Sequence, residues 1–405
     1  MLTREANERL AQVGPGTPGG NLLRRYWHPI ATLVELEKEP VLPVKLLGEN
    51  LALYKSPDGD MGLMAERCPH RGASMVYGIP EDGGLRCPYH GWKFSDEGIC
   101  LEQPAEPETS TFKHRVRIPA YPVQEMGGLI WAYLGPAPAP ILPKFDLFVR
   151  DDIKRSIGIT VLPCNWVQMM ENSLDPVHLE YLHGMLTNYT LKRQGKPPSA
   201  NVKHHLKIGF DVWKHGISKR RLLEGQAEDC DDWTRGHPIL FPNILAVGDE
   251  SCPEYQIRVP MDDTTTLYYW YNTSPLGLGE DVQKSTDIPI WENPYQHDNG
   301  RLIVETVNGQ DMMAFLTQGP ISLREAERLG TSDKGVILFR SIVFEQMEKV
   351  ARGEDPLGVL RDPADDVMIR IPRESKAHYV VGEFIAADDE NMQPAIKKEY
   401  TRTVG

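Results

Sequence analysis

The chain has 405 residues, of which 40% are hydrophobic and 25% charged, and its formal net charge is −13. This length allows two or three domains with cores of their own, and the composition excludes a disordered chain, while the negative charge argues against a nucleic-acid-binding protein. No apolar run is long enough to span a membrane, and residues 1–8 lack the apolar segment of a secretory signal, so we expect a cytoplasmic protein without membrane attachment.

Residues 4–13 are predicted to form a helix that ends at the glycine- and proline-rich stretch Gly14–Gly20. This stretch matches the pattern GxGxxG. A dinucleotide site, however, needs a strand before the glycines and a helix after them, so we interpret the stretch as a loop. No second nucleotide-binding motif occurs, which indicates that reducing equivalents reach this chain from another protein.

Short alternating apolar runs between residues 41 and 134 predict a small antiparallel β domain. The runs are Pro43–Leu47, Leu51–Tyr54, Gly62–Met64, Leu85–Cys87, Trp92–Phe94 and Leu129–Leu134. A proline-rich segment, 136–143, follows and is typical of a domain boundary. We therefore predict a first domain at 26–140, preceded by a helix and loop at 1–25 that pack on the second domain.

The remaining chain, 141–405, is predicted to form an α+β domain in which a curved antiparallel sheet wraps a helix, followed by C-terminal helices. The pattern starts with a helical patch around 163–186. Strands are predicted near 203–213, 217–223, 255–260 and 265–273, and helices near 309–317, 322–330 and 334–352.

Two short motifs in the first domain each combine a cysteine with a histidine. They are Cys68-Pro-His70 and Cys87-Pro-Tyr-His90, and a glycine follows each histidine closely. Two thiolates and two imidazoles are the ligand set of a Rieske [2Fe-2S] cluster. A zinc site would use the same atoms, although zinc sites usually pair cysteine with cysteine. Two unrelated buried Cys/His pairs are the third interpretation.

The second domain contains His178 and His183, which are five residues apart. On a regular helix this spacing places the two rings on different faces, but Pro176 provides a reason for irregular backbone. Two histidines and one carboxylate form the typical site of an oxygen-activating non-haem iron. The alternative is a pair of histidines that are hydrogen-bonded within a helical core.

With both motifs, the chain resembles the Rieske non-haem iron aromatic oxygenases. Catalytic domains of that family carry an acidic residue, three positions, Asp, two positions, His, four positions and His, and Glu171, Asp175, His178 and His183 fit this pattern. The resemblance implies one Rieske [2Fe-2S] cluster and one mononuclear Fe(II) per chain. It also implies a helix-grip (START-like) catalytic domain.

The resemblance further implies roles for residues outside the two motifs. Asp311 is predicted as the carboxylate ligand of the iron, with Asp333 as the alternative, although Asp333 is also placed to cap a helix. Asp175 would bridge an iron-binding histidine to a cluster histidine of the neighbouring subunit, which implies a head-to-tail homotrimer or hexamer. Asn172 is predicted to lie near the iron.

The implied partners are a ferredoxin and/or an NAD(P)H-dependent reductase, together with O2 and an aromatic acid. The chain is similar to the phthalate dioxygenase group and, in Pro163–Trp166, Asn308–Asp311 and Arg352–Pro356, to aromatic O-demethylases. We therefore favour O-demethylation of a methoxylated aromatic acid, with ring cis-dihydroxylation as the alternative and a non-enzymatic redox or ligand-binding protein as a remote one. Arg220 and Arg221 are the candidate partners of the substrate carboxylate.

Overall fold

The computed structural model describes residues 1–198, 202–373, 400 and 402, which form three small sheets and one large sheet with flanking helices. The predicted α+β fold class is confirmed. The end of the predicted second domain, residues 374–399, lies outside the described residues, and the domain boundaries themselves stay a prediction.

The N-terminal part contains three helices and eleven short strands. The helices are α1 (Arg4–Ala11), α2 (Pro18–Leu23) and α3 (Leu33–Lys38). The strands are β1 (Trp27–Thr32), β2 (Val41–Leu46), β3 (Glu49–Lys55), β4 (Met61–Ala65), β5 (Ile79–Glu81), β6 (Gly84–Arg86), β7 (Lys93–Phe94), β8 (Cys100–Glu102), β9 (Ala120–Tyr121), β10 (Val123–Met126) and β11 (Leu129–Tyr133). They form three antiparallel sheets in the orders β1-β11-β10, β2-β3-β4-β9 and β5-β6-β7-β8.

The large sheet has eight strands. They are β12 (Ile153–Leu162), β13 (His205–Trp213), β14 (Gly216–Leu223), β15 (His237–Leu240), β16 (Ile244–Val247), β17 (Glu254–Asp262), β18 (Thr265–Pro275) and β19 (Ile290–Glu292). Their order is β13-β14-β15-β16-β17-β18-β12-β19. All neighbours are antiparallel except β12 and β19, so the sheet is mixed at one edge.

Six further helices accompany the large sheet. They are α4 (Asp146–Val149), α5 (Trp166–Ser173), α6 (Thr187–Arg193), α7 (Asp231–Thr234), α8 (Val307–Thr317) and α9 (Lys334–Ala351). A π-helix spans Leu179–Leu186, and short 3₁₀ turns span Met75–Tyr77, Phe112–Arg115, Ser285–Asp287, Thr331–Asp333 and Pro363–Asp365. Within the described ranges, no helix is both long and apolar enough to cross a membrane.

One predicted helix and one predicted loop differ from the structure. The helix predicted near 322–330 is not formed, because three of its polar side chains are held by distant residues: Arg324 by Glu171, Glu325 by Asn7 and Glu327 by Arg340. The predicted loop at 14–20 ends earlier, since Thr17 caps α2 by accepting a hydrogen bond from the Gly20 N–H.

A buried ion-pair network joins the N-terminal helix to the large domain. Arg324 is fully buried and contacts both Glu171 carboxylate oxygens, at 2.8 and 3.0 Å. Arg340 donates to the same carboxylate at 2.6 Å, and Arg324 also donates to Asn7 Oδ1 in α1 at 2.9 Å. The network therefore fixes α5, which precedes the two candidate metal-binding histidines.

Replacing Arg324→Met is expected to lower the free energy of unfolding by about 3 kcal/mol or more, because Glu171 and Arg340 would remain buried with an incomplete set of partners. Urea denaturation followed by circular dichroism measures this change. The control is Arg352→Met, since Arg352 pairs with Glu354 at the surface and such pairs contribute about 1 kcal/mol or less. Equal stability of both variants would contradict the structural role of the network.

Candidate metal centres

The two Cys/His motifs form two loops with the same backbone geometry. The Cys68 N–H donates to the Ala73 carbonyl at 2.9 Å, and the Gly72 N–H donates back to the Cys68 carbonyl at 2.9 Å. The second loop repeats this pattern, with a bond of 3.0 Å from the Gly91 N–H to the Cys87 carbonyl. Both glycines have positive φ, +74° and +75°, which side chains disfavour. The loops therefore present their cysteines in matching ways, whereas the histidines follow them by two residues in one loop and by three in the other.

The thiols of the two loops are buried, whereas the histidines are at least partly exposed. Cys68 and Cys87 are 3% and 2% exposed, and His70 is exposed. The rings of His70 and His90 are 4.5 Å apart between centroids, and Trp92 stacks on His70 at 4.4 Å. Burial raises the pKa of the Cys68 thiol to about 11, so the thiolate needs a bound cation to form at neutral pH.

The spread of these four side chains separates the cluster from the zinc interpretation. One zinc ion requires all of its ligand atoms around a single point. Among the described residues, His178, His183 and Asp311 form a group whose ligand atoms all lie within 4.8 Å of one another, whereas the Cys/His set forms no such group. A set that does not converge on one point suits a cluster of two irons, where thiolates and imidazoles bind different metals.

The second centre begins with His178 and His183, which the π-helix brings together. His178 is the residue immediately before this helix, and His183 lies within it. Hydrogen bonds in a π-helix join residues five apart, so the wider turn aligns side chains at this spacing. The two rings lie 5.0 Å apart between centroids. The irregular backbone expected near Pro176 is thus a π-helix, a feature that often occurs at functional sites.

Asp311 completes this group from helix α8. Its Oδ1 atom lies 3.2 Å from His183 Nε2 and 3.8 Å from His178 Nε2. The amide of Asn172 donates to the same oxygen at 3.2 Å, so Asn172 lies beside the triad. Asp333 instead accepts a hydrogen bond from the Gly330 N–H, in agreement with a capping role.

Carbonyl oxygens hold both histidine rings through their Nδ1 atoms. His178 Nδ1 donates to the Asp175 backbone carbonyl at 2.5 Å, and His183 Nδ1 donates to Gln310 Oε1 at 2.9 Å. The amide of Gln310 donates in turn to Thr187 Oγ1 and the Val304 carbonyl, which fixes its orientation. Both Nε2 lone pairs are therefore directed towards Asp311, as metal ligands require.

The electrostatics of the triad suit a cation. Burial lowers the pKa of His178 to about 3, so its imidazole is neutral at physiological pH. Burial would raise the pKa of Asp311, but the interactions with His183 and His178 and the hydrogen bond from Asn172 outweigh it and lower this pKa. Two imidazoles and an ionised carboxylate are the donor set of a non-haem iron site.

Asp175 lies beside His178, and its predicted bridge to a cluster histidine of a neighbouring subunit stays a prediction. Its Oδ1 accepts a hydrogen bond from the Val177 N–H at 2.8 Å, and its Oδ2 is 3.9 Å from His178 Nδ1, beyond hydrogen-bonding distance. The carboxylate keeps 30% of its surface exposed, and burial raises its pKa. The Asp175 backbone thus positions His178, while its carboxylate stays partly exposed.

The geometry counts against Arg220 and Arg221 as substrate residues. Arg220 pairs with Asp211 at 2.6 Å and donates to the Trp233 carbonyl. Arg221 is buried and pairs with Asp232 at 2.8 Å. Both guanidinium groups are engaged with the protein, because β13 supplies Asp211 and helix α7 supplies Asp232 and the Trp233 carbonyl.

Sequence reasoning missed the role of Gln310 as the partner of His183. A glutamine beside a candidate ligand gives no signal by itself, since the hydrogen bond joins residues 127 positions apart. It also gave no preference to Lys219, a buried lysine of β14 whose pKa is lowered to about 8, chiefly by burial.

Two family models match parts of the chain. Residues 26–122 match the Rieske [2Fe-2S] domain, and residues 242–371 match a family described as LigXa C-terminal domain like. The first match confirms the predicted cluster, and the His178, His183 and Asp311 triad is consistent with a mononuclear iron site.

Curated relatives match nearly the whole chain. The 5,5'-dehydrodivanillate O-demethylase oxygenase subunit of Sphingobium sp. (strain NBRC 103272 / SYK-6) is 45% identical over 92% of this chain and 87% of its own length. The phthalate 4,5-dioxygenase oxygenase subunit of Pseudomonas putida is 31% identical over 88% of this chain and 89% of its own.

A solved structure shares the fold. The oxygenase in an oxygenase–ferredoxin complex of carbazole 1,9a-dioxygenase superposes with a TM-score of 0.63 at 20% identity, covering 87% of this chain and 98% of that one.

Proposed function

The chain belongs to the Rieske aromatic ring-hydroxylating oxygenases, as a phthalate dioxygenase-like α subunit, and we propose that its reaction is the O-demethylation of a methoxylated aromatic acid. It is the terminal oxygenase of a Rieske aromatic oxygenase system. The observation that carries the proposal is the identity of 45% to an O-demethylase, against 31% to phthalate 4,5-dioxygenase.

The proposed reaction needs the insertion of one oxygen atom into a methyl C–H bond. The aryl methyl ether, O2, two electrons and two protons give an aryl hydroxymethyl ether and water. The bond between the methylene carbon and the aryl oxygen then breaks, and the hydroxyl proton passes to the aryl oxygen. This step releases formaldehyde and the phenol. A Rieske cluster supplies single electrons and a non-haem iron supplies oxygen activation when these groups are bound.

The residues of the chain have separate parts in this proposal. Cys68, His70, Cys87 and His90 would hold the cluster. His70 is exposed and His90 is partly exposed, so electrons can enter or leave there. His178, His183 and Asp311 would hold the iron. Gln310 and the Asp175 carbonyl keep the imidazole rings in position, and Asn172 holds the Asp311 oxygen. His183 is buried and His178 and Asp311 are mostly enclosed, which limits the access of bulk water to the triad.

We propose in addition that the subunits form a head-to-tail ring, in which the cluster of one copy faces the triad of the next. Two apolar surfaces support this arrangement. Tyr77, Ile79 and Tyr89 are more than half exposed near the cluster loops. Tyr181, Met185 and Tyr189 are more than half exposed along the π-helix and α6. Large apolar side chains at such exposure are typical of protein interfaces.

The proposed electron donor is a ferredoxin and/or an NAD(P)H-dependent reductase. The glycine-rich stretch Gly14–Gly20 follows helix α1, whereas a dinucleotide-binding motif follows a strand. The sequence contains no other candidate motif. The carbazole 1,9a-dioxygenase oxygenase, which shares the fold, is solved in complex with a ferredoxin.

Product analysis tests the proposed reaction. Purified iron-replete protein receives a surrogate reductase, NADH, O2 and a panel of aromatic acids with and without methoxy groups. We expect formaldehyde and a product lighter by one methylene from the methoxylated acids, measured by mass spectrometry. A product heavier by two oxygens and two hydrogens would instead identify ring dihydroxylation and overturn the demethylase assignment.

A further inference from the structure

Lys219 lies on the inner face of β14. Buried and half-buried side chains alternate along this strand, so Ile217, Lys219 and Arg221 face inwards and Arg220 lies on the opposite face. Lys219 is 7% exposed, so the side chain is enclosed but not sealed. Lysine is almost never buried unless it is paired.

The β13–β14 hairpin that carries Lys219 lies against the π-helix of the triad, since the His205 N–H in β13 donates to Glu180 in the π-helix at 2.6 Å. The electrostatics of Lys219 agree with this placement. Burial is the main cause that lowers its pKa to about 8, and the Arg221 charge acts in the same direction. The carboxylates of Asp175 and Asp311 act in the opposite direction. Burial and Asp311 have the larger effects on the pKa values of the two triad histidines. The Lys219 charge lowers both pKa values as well. Charges influence one another in this way only at short range.

No residue of the described chain forms a hydrogen bond or an ion pair with this ammonium group. The neighbouring cations differ in this respect. Arg221 pairs with Asp232 at 2.8 Å. Arg258 donates to the Gln256 side chain at 2.8 Å and to the Tyr268 hydroxyl at 3.1 Å. Lys219 is thus the cation beside the triad whose donors remain available.

A buried cation without a counter-ion lowers stability, and such a group beside a reactive centre is typical of a residue that binds a ligand. Asp311 is a poor counter-ion for it, because its Oδ1 already faces two imidazoles and accepts from Asn172. A divalent metal on the triad would offset the Asp311 charge further. The Lys219 charge would then favour an anionic ligand.

We propose that Lys219 binds an anionic oxygen of the aromatic substrate and so positions the ring relative to His178, His183 and Asp311. This inference rests on the proposed function for the identity of the substrate class. The anionic oxygen belongs to a carboxylate or to a phenolate. A lysine presents a single compact charge, so it fixes one oxygen and leaves the other end of the ring directed towards the triad.

Binding measured without turnover tests the proposal. Anaerobic holoenzyme is titrated by calorimetry with 3-methoxybenzoate, its methyl ester, 2-methoxyphenol and benzoate. Lys219→Met is expected to weaken binding of the anionic probes by about 10- to 100-fold, the usual effect of losing a hydrogen bond to a charged group. Lys219→Arg keeps the charge and is expected to restore most of the affinity, and the ester should bind all variants equally.

The matched control is Lys214→Met, because Lys214 lies at the end of the same hairpin but pairs with Asp365 at 2.5 Å on the surface. It should bind every probe as the unaltered protein does. Cluster absorbance, iron content and thermal midpoint show whether Lys219→Met remains folded. If that variant is unfolded, Lys219→Gln and Lys219→Arg are compared instead, since glutamine removes the charge but keeps polarity.

Each outcome has a defined meaning. Loss of affinity for the benzoates alone identifies the carboxylate as the ligand, and loss for the phenol alone identifies a phenolate. Undiminished affinity of a folded Lys219→Met for all probes would overturn the proposal, as would an equal loss for acid and ester. Benzoate separates this inference from the proposed reaction, because its binding depends on Lys219 even if no methoxylated acid is demethylated.

Discussion

Asp311→Asn is expected to remove the mononuclear iron and abolish product formation, while the [2Fe-2S] cluster stays in place. Asp311 supplies the carboxylate group of the triad, and its Oδ1 atom lies 3.2 Å from His183 Nε2. An amide keeps the shape but lacks the negative charge that a divalent cation requires. Replacing an outer partner of a metal ligand typically lowers metal affinity by about 10- to 100-fold. The loss of iron affinity in Asp311→Asn should be larger, because the ligand itself is changed.

Metal analysis and the visible spectrum of the cluster measure the two sites separately. Asp333→Asn is the matched control, because Asp333 was the alternative ligand but accepts a hydrogen bond from the Gly330 N–H. It should retain iron and turnover. Full iron content in Asp311→Asn, or loss of iron in Asp333→Asn, would contradict the assignment of the triad.

Asp175→Asn is expected to slow turnover by on the order of a hundredfold with both metal sites still occupied. Under the ring proposal its partly exposed carboxylate contacts the cluster histidine of the next subunit, and the amide would weaken that contact. The backbone carbonyl that holds His178 is unaffected by the change. Rapid-mixing spectroscopy would therefore record normal reduction of the cluster by the donor but slow reoxidation in the presence of substrate and O2.

Asp333→Asn is a suitable control here as well. The Asp333 charge raises the pKa of Asp175, as burial does, but the Asp333 carboxylate itself accepts its hydrogen bond from the Gly330 N–H. Its reoxidation rate should match that of the unaltered protein. Sedimentation analysis is needed for both variants. A dissociated Asp175→Asn assembly would assign the carboxylate to subunit contact, whereas normal turnover in an intact assembly would refute the proposed electron route.

Much of the fold followed from local patterns, and the exceptions have physical causes. Strands such as β3, β17 and β18 have apolar runs that the sequence displays, and they were predicted. Strand β12, which lies between β18 and β19 in the large sheet, was not predicted. The predicted helix at 322–330 fails because Arg324 forms stronger contacts with Glu171 and Asn7 than a local helix would provide.

The sequence by itself determined the two halves of the cluster motif and the histidine pair, because within each of them the ligands lie a few residues apart and a short segment keeps them together. Only the tertiary structure decided which partners meet them. Asn172 contacts Asp311 across 139 positions, and His183 contacts Gln310 across 127. The same holds for the basic hairpin, where Arg220 and Arg221 find acidic partners and Lys219 finds none in the described chain. Charge pairing depends on distances in the folded chain, which spacing along the sequence does not specify.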